Sequence, residues 1–405
     1  MEKKTSVVFI QGISILFLAA IILFGSTGSA YSDKPPGVTN DTIKVGVIYD
    51  QTGPLSPYLT VVTKGLRSLV QYTNEQGGIN GRELKLLVED DRCTIPGAVS
   101  AFKKLLYKDG VVTLLGPSMT ASIVAMLRGI EKEKIVTIPG SITPKMVEPL
   151  HRYVFIIQDT TPGMMKALVD YIMLDLKAKN PRIGFVNPDN ESGMADLVPG
   201  LERLKYYNLE PATKEVLNFG AIDATSQVMN LRRAKVDYVI ICGQISDGAM
   251  LLLRDMKKFG LKVPVFGSWG TCNEVVMSIG EAAKEFYSVN AFASWYDKGP
   301  GIEKMREITL KYEPGTEKPW RGKLYTSGFA TAAVFIEAMK RAGRDLNTEA
   351  LVNSLEGMKN FDTGGLTGLI SFSPTNHKGG NSWKIFKTDL STGKLIPMTE
   401  WRTPK

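Results

Sequence analysis

Short apolar runs alternate with amphipathic stretches along most of this chain. The runs are rich in Val, Ile and Leu and are bounded by turn-forming residues, which predicts β-strands. Between them apolar residues recur at helical spacing, as at Ala98, Ala101 and Leu105. Nearly continuous apolar strands that alternate with helices predict an α/β fold with doubly wound parallel sheets. The predicted strands are 43–50, 84–89, 111–115, 135–138, 153–157, 182–187, 236–242 and 264–267.

The strand–helix rhythm of residues 43–158 recurs in residues 182–283, which predicts two similarly built lobes. The carboxyl ends of parallel strands are the usual ligand-binding edge of such sheets. We therefore expect a ligand in the cleft between the lobes, where two such edges face each other. The remaining predicted elements are helices at 302–312, 324–343 and 348–358 and strands at 370–372 and 383–386.

The first 30 residues have the layout of a secretory signal peptide. Lys3 and Lys4 precede a nearly apolar run over 7–23, and Gly28-Ser29-Ala30 offers small residues for cleavage. An uncleaved membrane anchor is the alternative, since a spanning helix needs roughly 20 apolar residues. No later segment is as apolar. We therefore predict a soluble protein that acts in the periplasm or elsewhere outside the cytoplasm.

Charge and cysteine content exclude a nucleic-acid partner and a disulfide scaffold but say little else about function. The chain carries a formal charge of +8, and removal of the leader with Glu2, Lys3 and Lys4 leaves +7. No dense Lys/Arg run is present, so no nucleic-acid partner is predicted. The three cysteines are too few and too scattered for a disulfide scaffold. Cys242 ends one predicted strand and Cys272 lies just past the end of the next. If these strands are neighbours, a disulfide is geometrically possible, so a disulfide and two buried thiols both stay open.

Nothing in the sequence indicates catalysis. The only histidines, His151 and His377, have no suggestive partner and are expected on the surface or in loops. The motifs H-E-x-x-H and G-x-S-x-G do not occur. Asp90 and Asp91 are adjacent on a predicted strand end, where side chains point to opposite faces, so we expect a solvated turn. The sequence therefore predicts no enzyme activity, no metal and no cofactor.

Five stretches together resemble the branched-chain amino acid-binding family, the extracytoplasmic solute-binding proteins of ABC transporters. The likeness extends from about residue 43 to residue 400. It implies the type I periplasmic binding protein fold, in which two lobes are joined by three hinge crossings and close on a ligand. The stretches are IKVGVIYDQTGPLSPY (43–58), EQGGINGRELKLLVEDD (75–91), LLGPSMTAS (114–122), IPGSITP (138–144) and GAMLLLRDMKKFGL (248–261).

The resemblance also implies domain boundaries and partners. Lobe 1 would comprise residues 43–158 plus 292–372, and lobe 2 would comprise residues 159–291 plus 373–405. The protein, expected to be a monomer, would deliver its small-molecule ligand to a membrane permease and ATPase complex. Because the same fold also serves in receptors, a soluble sensor that presents the ligand to a signalling receptor is the alternative.

Carried over to this sequence, the resemblance implies a first-lobe wall of Tyr58, Thr120, Ala121, Ser141 and Thr143. Thr120 and Thr143 lie at predicted strand-to-helix turns, where hydroxyls, N–H groups and the helix dipole favour a carboxylate. The alternative for Thr120 and Ser141 is ordinary helix capping.

The second-lobe wall would include Ser192, Gln244 and Trp269, and here the sequence departs from the family. Amino acid binders commonly have an acidic residue at the position of Trp269, where it pairs with the ligand ammonium group. An indole offers a flat apolar face instead. We therefore hypothesise a hydrophobic or aromatic carboxylate as ligand. A branched-chain amino acid stays open if Trp269 is a core residue, or if the alignment of this loop is shifted by one position. Glu191 or Glu274 would then pair with the ammonium group.

Overall fold

The computed structural model describes residues 37–314 and 322–403, and the predicted leader lies outside these residues. A four-stranded parallel sheet with the order β2-β1-β3-β4 forms the centre of the first lobe. Val45, Val47 and Ile48 on β1 are fully buried, as expected for a strand that is covered on both faces. The strands are β1 Thr42–Ile48, β2 Glu83–Glu89, β3 Thr113–Leu115 and β4 Val136–Ile138.

A seven-stranded sheet with the order β11-β10-β9-β8-β7-β5-β6 forms the centre of the second lobe. Neighbouring strands from β6 to β9 are parallel, whereas β10 pairs antiparallel with both β9 and β11. The second sheet is therefore mixed. The strands are β5 Ile183–Asn187, β6 Thr213–Val216, β7 Tyr238–Ile241, β8 Val265–Gly267, β9 Phe286–Asn290, β10 Lys384–Asp389 and β11 Lys394–Pro397.

Helices from both halves of the sequence pack on the sheets. They are α1 Ser56–Glu75, α2 Ile95–Lys103, α3 Thr120–Glu133, α4 Thr161–Asp170, α5 Glu191–Tyr206, α6 Thr225–Arg233, α7 Ser246–Lys258, α8 Pro300–Tyr312, α9 Lys323–Ala342 and α10 Thr348–Glu356. Single π-helical turns, Lys104–Asp109 and Tyr171–Asp175, continue α2 and α4. Short 3₁₀ segments lie at Pro144–Met146, Trp269–Thr271 and Glu274–Ala283.

In the first lobe, α1 and α9 pack closely against each other. A Cβ atom on Gly65 would lie 2.3 Å from the carbonyl oxygen of Tyr325, and one on Gly328 would lie 2.0 Å from that of Val62. Because any side chain at either glycine would force the helices apart, these positions require Gly. In this way α8 to α10, which follow the second lobe in sequence, are joined to the first lobe.

The chain passes between the lobes three times, near residues 158, 292 and 380. The first and third crossing segments run side by side, since Ile156 and Lys378 form a parallel β-bridge. The second crossing follows directly from β9, and the third leads directly into β10. The two-lobed α/β fold with three hinge crossings that the sequence predicted is therefore confirmed.

Several predicted strands differ from the observed ones. Residues 153–157 form isolated bridges at Val154 and Ile156, and Ile370 forms a single bridge to Phe361. Three observed strands were not predicted, namely β6, β9 and β11. β6 has the polar sequence TKEV and lies at the sheet edge, so it lacks the apolar run on which the prediction depended. β9 is fully buried but contains Ser288 and Asn290.

His377 lies in a loop, as one of the two expected alternatives has it, but its side chain is buried. Its side chain is 0% exposed and its ring stacks on that of Phe155, with the centroids 3.8 Å apart. Its Nε2 lies 3.2 Å from a carboxylate oxygen of Glu356. His377 therefore packs the third crossing segment against the first lobe. Among the described helices, none combines the length and the apolar character needed to span a membrane.

Candidate functional site

The turn after β1 places the start of α1 at the cleft. The carboxylate of Asp50 accepts hydrogen bonds from the backbone N–H groups of Gly53 and Leu55, the second at 2.8 Å. Asp90 accepts one from Gln51 N–H, also at 2.8 Å. Asp91, expected in a solvated turn, is instead buried, and its carboxylate lies within 4.8 Å of those of Asp50 and Asp90. These acids shape the turn by accepting backbone N–H groups.

The first-lobe wall presents hydroxyl groups to the cleft. Thr120 begins α3 directly after β3, and Ser141 and Thr143 follow β4. The hydroxyl oxygens of Thr120 and Ser141 lie 3.0 Å apart. The N-cap residue of α3 is Met119, and neither that helix nor the 3₁₀ turn after Thr143 has a side-chain cap. The capping alternative for Thr120 is therefore wrong, and its hydroxyl is oriented toward Ser141 instead.

The second-lobe wall is formed by the starts of three consecutive segments after strands. Ser192 lies in the first turn of α5, and its hydroxyl donates to the Gly243 carbonyl at 3.4 Å. Gln244 follows β7, and its Nε2 donates to the Leu217 carbonyl. Trp269 begins the 3₁₀ turn after β8.

These two walls enclose a cavity of about 140 Å³, which we call the inner cavity. Seven of the eight predicted site residues line it: Tyr58, Thr120, Ser141, Thr143, Ser192, Gln244 and Trp269. The eighth, Ala121, does not line the inner cavity. It lines a neighbouring space of about 640 Å³, which we call the outer chamber.

Polar groups that the sequence reasoning missed also line the inner cavity, among them Thr161 and Asp196. Thr161 begins α4 immediately after the first crossing and is 4% exposed. Its hydroxyl has no hydrogen-bond partner within residues 37–314 and 322–403, and the same is true of Oε1 of Gln244. Buried polar atoms usually have a partner, so these two atoms are exceptions among the residues that line the inner cavity.

Asp196 is the one acidic residue among the side chains described as lining the inner cavity, and it already has partners. Its carboxylate accepts a hydrogen bond from Gly243 N–H at 2.6 Å and a second from the Ser268 hydroxyl. Burial raises the pKa of this carboxyl from 3.8 to about 6. Ser192 and Asp196 are four residues apart on α5, a spacing that puts them on one helix face and was a usable signal.

The two acids that could pair with a ligand ammonium group already form ion pairs with lysine side chains. Glu191 forms an ion pair with Lys145 at 2.7 Å and lines the outer chamber. Glu274 is 4% exposed, pairs with Lys323 at 3.4 Å and accepts from the Ser294 hydroxyl at 3.2 Å. Neither lines the inner cavity. Trp269 is half-buried, packs partly against the core and also lines this cavity.

Among the described residues, side-chain contacts join the lobes across the cleft. The hydroxyl of Tyr58 on α1 donates to the carboxylate of Asp247 on α7 at 2.9 Å. Burial, followed by this hydrogen bond, raises the pKa of Tyr58. The second contact is the Lys145–Glu191 ion pair. The structure therefore shows the two walls in direct contact at the cleft.

The cysteines do not form disulfides. Cys242 and Cys272 are buried free thiols, and Cys93 is a half-buried free thiol whose sulfur lies 3.5 Å from that of Met119. Burial raises the pKa of all three thiols. Of the two alternatives for Cys242 and Cys272, the structure therefore has the free thiols.

Known proteins share this architecture. The chain is 23% identical to the Leu/Ile/Val-binding protein homolog 3 of Brucella melitensis over 391 residues, which cover 95% of this chain and 97% of the relative. It superimposes with a TM-score of 0.83 on a branched-chain amino acid ABC transporter protein from Thermus thermophilus with bound valine, at 22% identity and 90% and 97% coverage of the two chains. A fatty acid ABC transporter substrate-binding protein from Thermomonospora curvata gives 0.80, at 24% identity and 91% and 94% coverage.

At these identities the structural matches show the fold alone. The family assignment comes from the sequence profile of the periplasmic binding protein family, which matches residues 42–394. That range contains both sheets, except for the last strand residues, and both walls of the inner cavity. The chain therefore belongs to the periplasmic binding protein family, and it is a solute-binding protein rather than an enzyme.

Proposed function

We propose that this protein is the extracytoplasmic solute-binding component of an ABC importer and that its ligand is a carboxylate with an apolar body. Lobes with the predicted boundaries would close on this ligand, and the protein, as a monomer exported by its leader, would deliver it to a membrane permease. The observation that carries the proposal is the inner cavity, where hydroxyl groups on one wall face an indole on the other.

The first-lobe wall suits a carboxylate. Thr120, Ser141 and Thr143 bring hydroxyl donors together where two strands end. Thr120 also opens α3, whose unpaired N–H groups and dipole favour negative charge. Hydrogen bonds to a charged group contribute about 1.5–3 kcal/mol each. Such a wall can therefore fix a carboxylate without a basic side chain.

The second-lobe wall suits an apolar body better than an ammonium group. Trp269 offers an aromatic face, while Asp196 already accepts two hydrogen bonds and Glu191 and Glu274 form ion pairs. The names of similar proteins include both valine and fatty acid binders. These ligands share a carboxylate, but only valine has an ammonium group. The cavity of this chain favours the acid without the ammonium.

Calorimetric titration of the purified protein with leucine, valine and 3-phenylpropenoate tests this proposal. We expect the aromatic acid to bind more tightly than either amino acid. Tight leucine binding with no response to the acid would overturn the proposed ligand class. Native mass spectrometry of the purified protein would identify a co-purified ligand directly.

A matched pair of variants tests the carboxylate wall. Thr120→Val removes a hydroxyl at the start of α3, and we expect about 10- to 100-fold weaker binding of the acid, given the strength of a charged hydrogen bond. Thr225→Val removes a hydroxyl at the start of α6, which does not line the inner cavity, and should leave affinity unchanged. Equal affinities of the two variants would contradict the assigned wall.

A further inference from the structure

We infer that the ligand is elongated, with its carboxylate in the inner cavity and an apolar tail in the outer chamber. This inference rests on the proposed function and specifies its substrate class. The inner cavity and the outer chamber adjoin each other. Met119, Phe219, Gln244 and Ile245 are among the residues that line both.

The size of the inner cavity limits what it can hold. Its volume of about 140 Å³ is close to the roughly 150 Å³ of an engineered protein cavity that accommodates benzene. A carboxylate with a few carbon atoms would fill it. Any larger ligand that keeps its carboxylate at Thr120 must extend into the outer chamber, whose volume is about 640 Å³.

The lining of the outer chamber matches an apolar tail. Its apolar residues come from the turn before α1, from the start of α3, from the loop before α6 and from α7. Phe219 in that loop is 49% exposed, so it presents an aromatic surface that is only half covered. Filling the chamber with hydrocarbon would remove this surface from water, which stabilises the complex. The apolar lining includes Pro54, Leu55, Met119, Phe219, Ile245 and Leu251.

Ala121 indicates the direction of the tail. It is the residue after Thr120, and it lines the outer chamber but not the inner cavity. Thr120 itself lines both. A ligand whose carboxylate contacts the Thr120 hydroxyl can therefore run past Met119 and Ala121 into the outer chamber without crossing a polar wall. Of the charged residues of the chamber, Asp247 and Arg254 are exposed, and Glu191 is half-buried and forms an ion pair with Lys145.

A chain-length series tests the inference. Butanoate, hexanoate, octanoate and decanoate would each be titrated into the purified protein by calorimetry. Each methylene buried in an apolar chamber contributes about 0.8 kcal/mol, which corresponds to about fourfold in affinity. We therefore expect affinity to rise by about fourfold per methylene through decanoate. A maximum at butanoate or hexanoate, with weaker binding of the longer acids, would overturn the elongated ligand.

Two tryptophan substitutions in one loop locate the tail. Ala221 lines the outer chamber, whereas Ile222 next to it does not and is 93% exposed. We expect Ala221→Trp to weaken decanoate binding at least 30-fold and to leave butanoate binding unchanged. Ile222→Trp should change neither. Equal effects of Ala221→Trp on both acids would place the tail outside the chamber.

The outcomes also separate this inference from the proposed function. If butanoate, decanoate and 3-phenylpropenoate all fail to bind while an amino acid binds, the proposed carboxylate class is wrong and the inference falls with it. If the short acids bind and chain length has no effect, only the elongated ligand is wrong. Thermal melts would verify that each variant is folded, and Leu251→Trp would replace Ala221→Trp if the latter is not.

Discussion

The hinge segments and the inner cavity are neighbours in the fold, but they differ in how their charged groups are used. Near the hinge, Asp159 pairs with Lys378 at 2.8 Å, and Asp297 pairs with Lys384 at 3.6 Å. The side chains of Lys323 and Glu274, which form a third pair, are almost fully buried. Around the inner cavity the described lining contains hydroxyls, an indole, aliphatic groups and one acid. The charges are therefore concentrated in the hinge rather than at the ligand.

This difference explains why a nearby acid is a poor guide to ligand chemistry. Glu274 is only five residues from Trp269, and from sequence it was a candidate partner for an ammonium group. In the structure it faces Lys323, whose Nζ also lies 4.0 Å from the ring centroid of Phe386. Lys323 opens α9 of the first lobe, whereas Glu274 follows β8 of the second. The pair therefore joins the lobes behind the cleft.

The largest expected effect comes from breaking this buried pair. Lys323→Met would leave the carboxylate of Glu274 buried without its counter-charge, because both side chains are at most 2% exposed. Removing one partner of such a pair typically costs about 3–5 kcal/mol. We expect a loss of that size in the free energy of unfolding, measured by urea denaturation.

The double variant separates the pair from the packing around it. Lys323→Met with Glu274→Gln removes both charges, and replacement of a whole buried ion pair is often nearly neutral. We expect it to recover most of the stability that Lys323→Met loses. A double variant no more stable than the single one would mean that packing of the lysine chain, rather than its charge, stabilises the hinge.

The second-largest expected effect is a pH dependence of stability that comes from Asp196, the acidic residue of the inner cavity. Burial raises the pKa of Asp196 from 3.8 to about 6, so folding favours the protonated form. Its contribution is present below pH 4 and is lost as the pH rises through 6, by about 3 kcal/mol. In urea unfolding between pH 4 and pH 7, the wild type should lose most of that amount, about 2 kcal/mol, relative to Asp196→Asn.

The control for this titration is Asp189→Asn, which changes an exposed carboxyl in the connection before α5. It should follow the wild type over the whole pH range. If the difference between the wild type and Asp196→Asn is constant with pH, Asp196 does not titrate between pH 4 and pH 6 and the cavity is more polar than its lining indicates.

The fold was predictable because its signal is local and repeated. Apolar strand runs such as 43–50 and 182–187 coincide with observed strands to within two residues. Strands without that signal were missed. β6 is a polar edge strand, and β9 carries Ser288 and Asn290, whose burial depends on tertiary contacts rather than on the pattern.

The candidate site was predictable only where residues follow a strand. Thr120, Ser141 and Trp269 lie within five residues of the carboxyl end of a strand, so the topology brings them to the edges of the sheets. Thr161 follows a crossing segment, and the outer chamber needs the loop at Phe219 to meet Met119 of the other lobe. No local sequence pattern indicates that Phe219 and Met119, which lie in different lobes, come together. Lys145 and Lys323, which pair with Glu191 and Glu274, likewise come from distant parts of the chain.

A smaller effect is expected at the hydrogen bond between Tyr58 and Asp247, which joins the two walls of the cleft. Tyr58→Phe removes the hydrogen bond to Asp247, which joins the lobes. A partly exposed hydrogen bond of this kind contributes about 1 kcal/mol, so we expect about fivefold weaker binding of the preferred acid by calorimetry. Tyr107→Phe is the matched control, since its hydroxyl donates to Glu133 at 2.9 Å within the first lobe. Equal affinities of the two variants would show that the Tyr58 contact does not stabilise the closed form.

The smallest effect is expected at the Lys145–Glu191 ion pair, which also joins the lobes but is solvated. The two side chains are 63% and 33% exposed, and exposed pairs contribute about 0.2–1 kcal/mol. Lys145→Gln should therefore weaken ligand binding only about twofold in low salt, and the difference should vanish near 1 M salt, where the Debye length is about 3 Å. Lys304→Gln, which breaks the Lys304–Glu307 pair within α8, should have no effect at either salt concentration. A loss for Lys145→Gln that persisted in high salt would mean that this pair is shielded from solvent when ligand is bound, like the buried pairs of the hinge.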